Sequence, residues 1–351
     1  MSLKLVLFLN MGGVSKREDC ELFLKNMFND KYILTIKSDI LRSFVAFFIT
    51  KFRAKKMWQN YLKIGGKSPL NDISARLCEK LNAEFLNQNL KDNAKKMSQN
   101  SALNSKTHHS KKGENLELAP KESKNLKLKS QLKFDFINTY VPPFASEVLS
   151  KYELTKDDEI VLFPLYPHHS QTTVLSSLEC VKGEILKAQI QAKVSEIPVF
   201  FESEIYNEML IKHILKANET YKKAHKKTLI FSAHSIPVST IKAGDIYQTH
   251  IERHFALLKE RLKPYFKDIV LGYQSKLGPV KWLEPSTSEL LAQLTNEALV
   301  YPLSFCVDCS ETAFELEIEY RKIAAKDYKV IACPNDSAEF VEFVKAYLKD
   351  R

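Results

Sequence analysis

Residues 228–237 read TLIFSAHSIP. A short apolar run ends in a histidine, and Pro237 stops it, because proline has no amide N–H for the next ladder position. The run is too short for a helix and is bounded by turn chemistry, so it reads as a buried strand with His234 at its carboxyl end. Similar runs recur outward from it: LVLFLN ending at Asn10, IVLFPLYP at Pro167, DIVLGYQS at Ser275, LVYPLSF at Phe305 and KVIACPN at Asn335. Between them lie longer stretches with helical spacing, such as 239–263 and 310–322. This alternation predicts an α/β fold of βα units, with parallel sheets covered on both faces. In open α/β sheets the ligand crevice lies beyond the carboxyl ends of the strands. Those ends here carry Asn10, Tyr166, His168, Ser232, His234, Gln274 and Ser275. The pattern predicts an active-site crevice there.

The chain has 351 residues, enough for two domains or one large α/β unit. Its 44% apolar and 27% charged content is that of a globular protein rather than a disordered one. The N-terminal LKLVLFLNMGG is too short to span a membrane and lacks a small-residue cleavage pattern, so it reads as a buried strand. Residues 43–51, SFVAFFITK, are also too short to span. With the basic continuation KFRAKK they read as an amphipathic helix packed on the protein, or as a peripheral contact with an anionic membrane surface. The net charge of +10 suggests nucleic acid until it is located. Between Lys91 and Lys133 there are eleven Lys against four acids, a net of +7, so the rest of the chain is close to neutral. No nucleic-acid face is expected. Seven of the nine glycines stand at loop signals (Gly12, Gly13, Gly65, Gly66, Gly244, Gly272 and Gly278), where a turn or close backbone approach is expected. Six cysteines in a long chain predict a reducing, cytoplasmic setting and no disulfide framework. The segment at about 91–132 is rich in Lys, Asn and Ser and has no aromatic residue, so it reads as an insertion or flexible loop. Its His108–His109 pair reads as solvated, with metal binding as the alternative.

Gly12-Gly13 follows a strand, yet neither G-x-G-x-x-G nor G-x-x-x-x-G-K-[ST] occurs. A doubly wound fold without a phosphate loop needs another ligand. His234 can take a proton near neutral pH or ligate a metal; a structural hydrogen bond is the plain alternative. Glu311, Glu315 and Glu319 are four residues apart in SETAFELEIEY, which on a helix stacks three carboxylates along one side. The helix dipole accounts for Glu311 and partly for Glu315, but not for Glu319. A hydrated divalent cation is a natural user of such a row. Cys306 and Cys309 form C-x-x-C without a second ligand pair, so zinc is not indicated, a redox dithiol is weakly supported and incidental placement is open. Trp282 either lines a flat apolar pocket or fills core.

As a set these residues resemble the ferrochelatase family, nearly end to end apart from the Lys-rich segment. The likeness runs through LNMGG (9–13), FLKNMFND (23–30), YLKIGGKSPL (61–70) and LFPLYPHHSQTT (162–173). It continues through FSAHSIP…GDIY (231–247), YQSKLGPVKWLEPST (273–287), PLSFCVDCSETAFELEIEY (302–320) and the terminal PNDSAEF. The resemblance implies two similar Rossmann-like domains with parallel sheets and a porphyrin cleft between them. The expected domains are 1–177 and 178–351, with the terminal helix at about 337–351 packing back on the first. The implied activity is insertion of Fe2+ into protoporphyrin IX with release of two protons, in haem biosynthesis. The alternatives are a chelatase for coproporphyrin III, another tetrapyrrole or cobalt, and a non-catalytic porphyrin or haem carrier.

By motif position, His234 resembles the family's active-site histidine and Glu311 its partner acid. Glu315 and Glu319 resemble an acidic row proposed as a metal path. Met11, Tyr61, Ser68 and Tyr140 fall where the family lines the cleft or holds porphyrin propionates, and Trp282 matches a cleft-side tryptophan. Porphyrin and ferrous iron are the implied substrates. No tightly bound cofactor is expected, and an iron–sulfur cluster is not, since no cysteine-rich extension follows. Peripheral contact with the inner face of the membrane is a further expectation. Two departures stand out: Asp308-Cys309 occupies the place of the family's usual Asp-His, and Thr139-Tyr140 that of an Arg-Tyr.

Overall fold

The computed structural model describes residues 2–86, 131–221, 226–276 and 278–349. The Lys-rich segment, with His108–His109, lies outside the described residues up to residue 130. Strand β2 already begins at Gln131, two residues inside the segment's expected end.

Eight strands form two sheets. The first holds β1 (Leu3–Asn10), β2 (Gln131–Asn138), β3 (Glu159–Pro164) and β4 (Lys193–Glu196) in the order β2-β1-β3-β4. The second holds β5 (Thr228–His234), β6 (Asp268–Gln274), β7 (Ala298–Pro302) and β8 (Tyr328–Val330) in the order β6-β5-β7-β8. All pairings are parallel, so the two halves repeat one topology. In each sheet the first strand is central, and the strand order reverses between it and the third. Such a reversal opens a crevice at the carboxyl ends.

Both faces of the central strands are buried. In β1, Leu5, Leu7 and Leu9 face one apolar cluster while Val6 and Phe8 face another. That explains its continuous apolar run. The run-based reading misses β2 and β4, which are edge strands. β2 alternates, with Lys133 and Asp135 among apolar neighbours, and β4 is only KVSE.

The strands divide after Glu196, not at 177. The expected boundary falls inside helix Ser176–Lys187, whose Leu178, Val181 and Ile185 pack with Leu5, Leu7 and Ile160 of the first sheet. Burial of those side chains, about 1.5–3 kcal/mol each, keeps that helix and β4 with the first half. One apolar cluster then runs through both halves, from Val6 and Phe8 to Phe231 and Tyr301. Helix Ala338–Lys349 joins it and lies against the first half: Tyr347 meets Phe163 with ring centroids 6.2 Å apart, and Lys345 pairs with Glu84.

The stretch 239–263 is two helices, Val238–Lys242 and Tyr247–Leu262, separated at Gly244 and Asp245. Gly272 stands inside β6 rather than in a loop. A Cβ there would come within 2.7 Å of Thr287 Oγ1, so the residue serves close approach of the following helix. Residues 43–51 belong to helix Asp39–Leu62. Ala46, Thr50, Ala54 and Tyr61 are its buried face, whereas Ile40, Phe44, Phe47, Phe48 and Phe52 are exposed. The helix therefore packs by its small residues and leaves its aromatic side open. Among the described residues, no helix is long and apolar enough to cross a membrane.

Candidate functional site

His234 is the last residue of β5 and is half-buried. Its Nδ1 lies 2.7 Å from the Ser235 carbonyl oxygen. A carbonyl only accepts, so in the neutral ring Nδ1 carries the proton and Nε2 keeps its lone pair. Phe305, just beyond β7, borders the ring edge-on at 6.4 Å.

Opposite β5 and β6 runs the acidic segment. Residues Glu311–Glu319 form a π-helix rather than the expected α-helix: the Tyr320 amide bonds the Glu315 carbonyl, five residues back. Turns of this kind are rare and cluster at functional sites. The three acids do not share one environment. Glu319 is exposed, while Glu311 and Glu315 are half-buried. Burial raises the Glu315 carboxyl above its ordinary range, against opposing hydrogen bonds from Ser275 and Tyr320 and the charge of His234. Ser275 donates from both its amide, at 2.7 Å, and its hydroxyl, and the Tyr320 hydroxyl also donates. Ser275 takes a φ of +70°, which turns both donors onto one carboxylate. Ser310 Oγ donates to Glu311 at 2.8 Å. Burial, with the Glu311 charge beside it, pushes the Cys309 thiol well up. The residue in place of the expected histidine is therefore a neutral thiol.

The other wall comes from the first half. Tyr61, at the end of helix Asp39–Leu62, is buried, and burial together with the Glu311 charge raises its hydroxyl. Lys63 Nζ sits 5.4 Å above the Phe314 ring. Met11, after β1, is half-buried. The following Gly12 has a φ of +99°, and a Cβ there would meet Val141 at 2.6 Å, so only glycine lets this loop pass so close to β2. Ser68 is buried against Gly13, where an added Cβ would be 2.7 Å from its Oγ. Trp282 pairs in an antiparallel bridge with Pro237, and its indole N–H is buried with no hydrogen-bond partner among the described residues.

The structure thus brings His234, Glu311, Glu315 and Tyr61 into one neighbourhood. It does not bring all predicted residues there. Tyr140 is buried with its hydroxyl committed to Asp30 at 2.8 Å and to Ser176 at 3.3 Å. Glu319 points to solvent. Among the described residues, no three His, Cys, Asp or Glu side chains converge tightly enough to hold a metal ion. The row Glu311–Glu315–Glu319 is therefore no preformed cage, because the hydrogen bonds to Glu315 occupy its oxygens.

Three groups escaped the sequence reading. Ser304 and Tyr247 bond the backbone of His234. Arg53 is half-buried, burial lowers its pKa, and no carboxylate pairs with it among the described residues. Its position in KFRAKK gave no sign, since neighbouring lysines look the same in sequence.

The ferrochelatase family model matches residues 4–92 and 83–351. The chain is 51% identical to a ferrochelatase of Campylobacter jejuni subsp. jejuni serotype O:2 over 348 residues, 99% of each chain. It is 45% identical to a ferrochelatase of Campylobacter concisus over 350 residues, 97% of this chain and 96% of that one. A ferrochelatase of Nitratiruptor sp. is 39% identical over 345 residues, 97% of each.

Proposed function

The chain belongs to the ferrochelatase family, and from that premise we propose that His234 is the base of an iron-insertion site in the crevice between the two sheets. The enzyme is a ferrochelatase, a lyase of haem biosynthesis that inserts metal into porphyrin. Protoporphyrin IX is its porphyrin and Fe2+ its metal in our reading.

The reaction must remove two pyrrole protons and strip water from the metal. A flat macrocycle keeps its nitrogen lone pairs in the ring plane. Binding energy from the ring periphery can offset the strain of bending that exposes them. His234 Nε2 accepts the pyrrole protons one at a time, handing the first to the acidic side before it takes the second, because its Nδ1 is already committed to a carbonyl. Glu311 stabilises the developing charge. Glu315 passes protons on toward Glu319 and solvent, and its raised pKa suits that exchange. Iron enters as substrate from the acidic side. Tyr61, Ser68, Met11 and Trp282 contact the macrocycle, and Arg53 pairs with a propionate. Tyr140 supports this wall through Asp30 rather than by direct contact. The protein is cytoplasmic, and the exposed aromatic side of helix Asp39–Leu62 is its peripheral membrane contact. The lysines Lys51, Lys55 and Lys56 on the same helix support that role.

One observation carries the reading: a strand-end imidazole with a free acceptor nitrogen, whose charge favours the ionised form of the half-buried Glu315 carboxylate. The test is anoxic chelation with protoporphyrin, coproporphyrin and sirohydrochlorin, each with Fe2+ and Co2+. Turnover is expected fastest with protoporphyrin and Fe2+, and lost in His234→Ala. Full turnover in that variant, or stoichiometric binding without turnover in the native protein, would sink the proposal.

A further inference from the structure

β7 leaves the side of β5 after Leu303, whose amide makes the last ladder bond, 2.8 Å to the Ser232 carbonyl. Along a parallel strand, alternate residues offer both backbone groups to the same neighbour. Ser235 bonds toward β6, its amide reaching the Gln274 carbonyl at 2.8 Å. His234 therefore faces the β7 side, where no backbone partner remains. Two hydroxyls take the place of the missing strand. The His234 amide donates to Ser304 Oγ at 2.9 Å, and the Tyr247 hydroxyl donates to the His234 carbonyl, also at 2.9 Å. Tyr247 thus spends its proton on that carbonyl, and Ser304 accepts from the His234 amide, so both backbone groups of His234 are satisfied.

Tyr247 is itself held firmly. It is buried, and its amide donates to Asp245 Oδ1 at 2.8 Å. Asp245 Oδ2 accepts from Ser170 Oγ at 2.9 Å and the Gln171 amide at 2.7 Å, both from the first half of the chain. His168, also from the first half, meets the Tyr247 ring edge-on at 6.2 Å.

We infer that Tyr247 and Ser304 are positioning residues for His234, extending the ladder by one residue so that the imidazole holds its direction toward the crevice, and that Tyr247 ties this direction to the seating of the first half of the chain. The inference rests on His234 being the base. Orientation matters because proton transfer needs hydrogen-bond reach, and about 1 Å of misplacement costs on the order of a hundredfold in rate.

The test is Tyr247→Phe, which keeps the ring and its packing but removes the donor, with Ser304→Ala as the second variant and Ser304→Thr as the rescue. Tyr247→Phe and Ser304→Ala are expected to lower kcat by about tenfold. The porphyrin KM should stay within about twofold, and the histidine limb of the kcat/KM pH profile should move. Ser304→Thr should restore both. Were Tyr247→Phe to fail to fold, Ser304→Ala, at a half-buried loop position, decides alone. His234→Ala run alongside separates two failures. If it keeps full turnover, the assignment of His234 itself is lost. If it is inactive while the Phe and Ala variants match the native enzyme in kcat and pH profile, only the positioning role is overturned. A change confined to KM or to thermal stability also overturns it.

Discussion

His168 Nε2 and His254 Nδ1 stand 2.9 Å apart, and both rings are buried. His168 follows β3 in the first half, and His254 lies on helix Tyr247–Leu262 in the second. His254 Nε2 in turn meets Asn207 Oδ1 at 2.9 Å. The Asn207 amide nitrogen donates to the Phe201 carbonyl, so its oxygen faces His254 and must accept. His254 therefore carries its proton on Nε2 and accepts at Nδ1 from His168. The chain of bonds is complete only while His254 Nδ1 stays unprotonated, and it joins the two halves.

Acid should loosen that joint first. Burial holds His254 down to about 3, and burial with His254 and His250 nearby holds His168 well below its usual value. Groups whose folded values are depressed below the unfolded histidine value, about 6.5, leave the unfolded chain binding more protons as pH falls. Stability is then fully present above about 6.5 and falls toward about 3, by up to about 1.4 kcal/mol per pH unit for each proton taken up. Denaturant unfolding at several pH values between 7.5 and 4.5 measures this. His254→Gln should be less stable at neutral pH yet show a shallower acid slope than the native chain; an unchanged slope would remove the histidines from the account.

Glu315→Gln should separate binding from chemistry. Ser275 and Tyr320 aim three donors at the carboxylate, and an amide offers a single acceptor oxygen with an NH2 group facing them. The mismatch costs about 1–3 kcal/mol of stability. Iron insertion should slow by roughly 10²-fold or more, with porphyrin affinity retained. Because burial raises this carboxyl, the native kcat profile should contain an ionisation above the ordinary glutamate value, and the variant should lack it. Porphyrin titration alongside single-turnover kinetics reads both; a pure binding defect would contradict the role.

Arg53→Met should do the reverse. A half-buried guanidinium without a carboxylate partner among the described residues suits an anion from outside the chain. A lost charge-assisted bond of about 1.5–3 kcal/mol raises the porphyrin dissociation constant by roughly tenfold or more, with kcat little changed. Fluorescence-quenching titration of porphyrin against the native and variant proteins checks it. Equal affinities would mean that the cation serves the fold instead.

Much of this molecule was legible before any coordinate. β1, β3, β5, β6 and β7 are buried on both faces, so their apolar runs mark them, and His234 announces itself as the polar residue ending one. Glu311, Glu315 and Glu319 were visible from spacing alone. β2 and β4 were harder because neither carries a continuous apolar run, whereas the edge strands β6 and β8 lie in one. The boundary at 177 failed for a related reason, since helix Ser176–Lys187 looks the same in sequence whichever sheet it covers.

By itself the sequence determined the repeating βα order, the strand ends that carry chemistry and the histidine and acids to suspect, because burial and periodicity are local properties written residue by residue. Only the tertiary structure decided that Glu315 is the hydrogen-bonded acid and Glu319 the exposed one, and that Tyr140 is spent on Asp30. It alone decided that Cys309 is a neutral thiol and that Ser304 and Tyr247 stand where a strand is missing beside His234. Each of those facts depends on which groups meet across elements distant in the chain, and a hydroxyl or carboxylate has no fixed role until its partners and its distance from water are set.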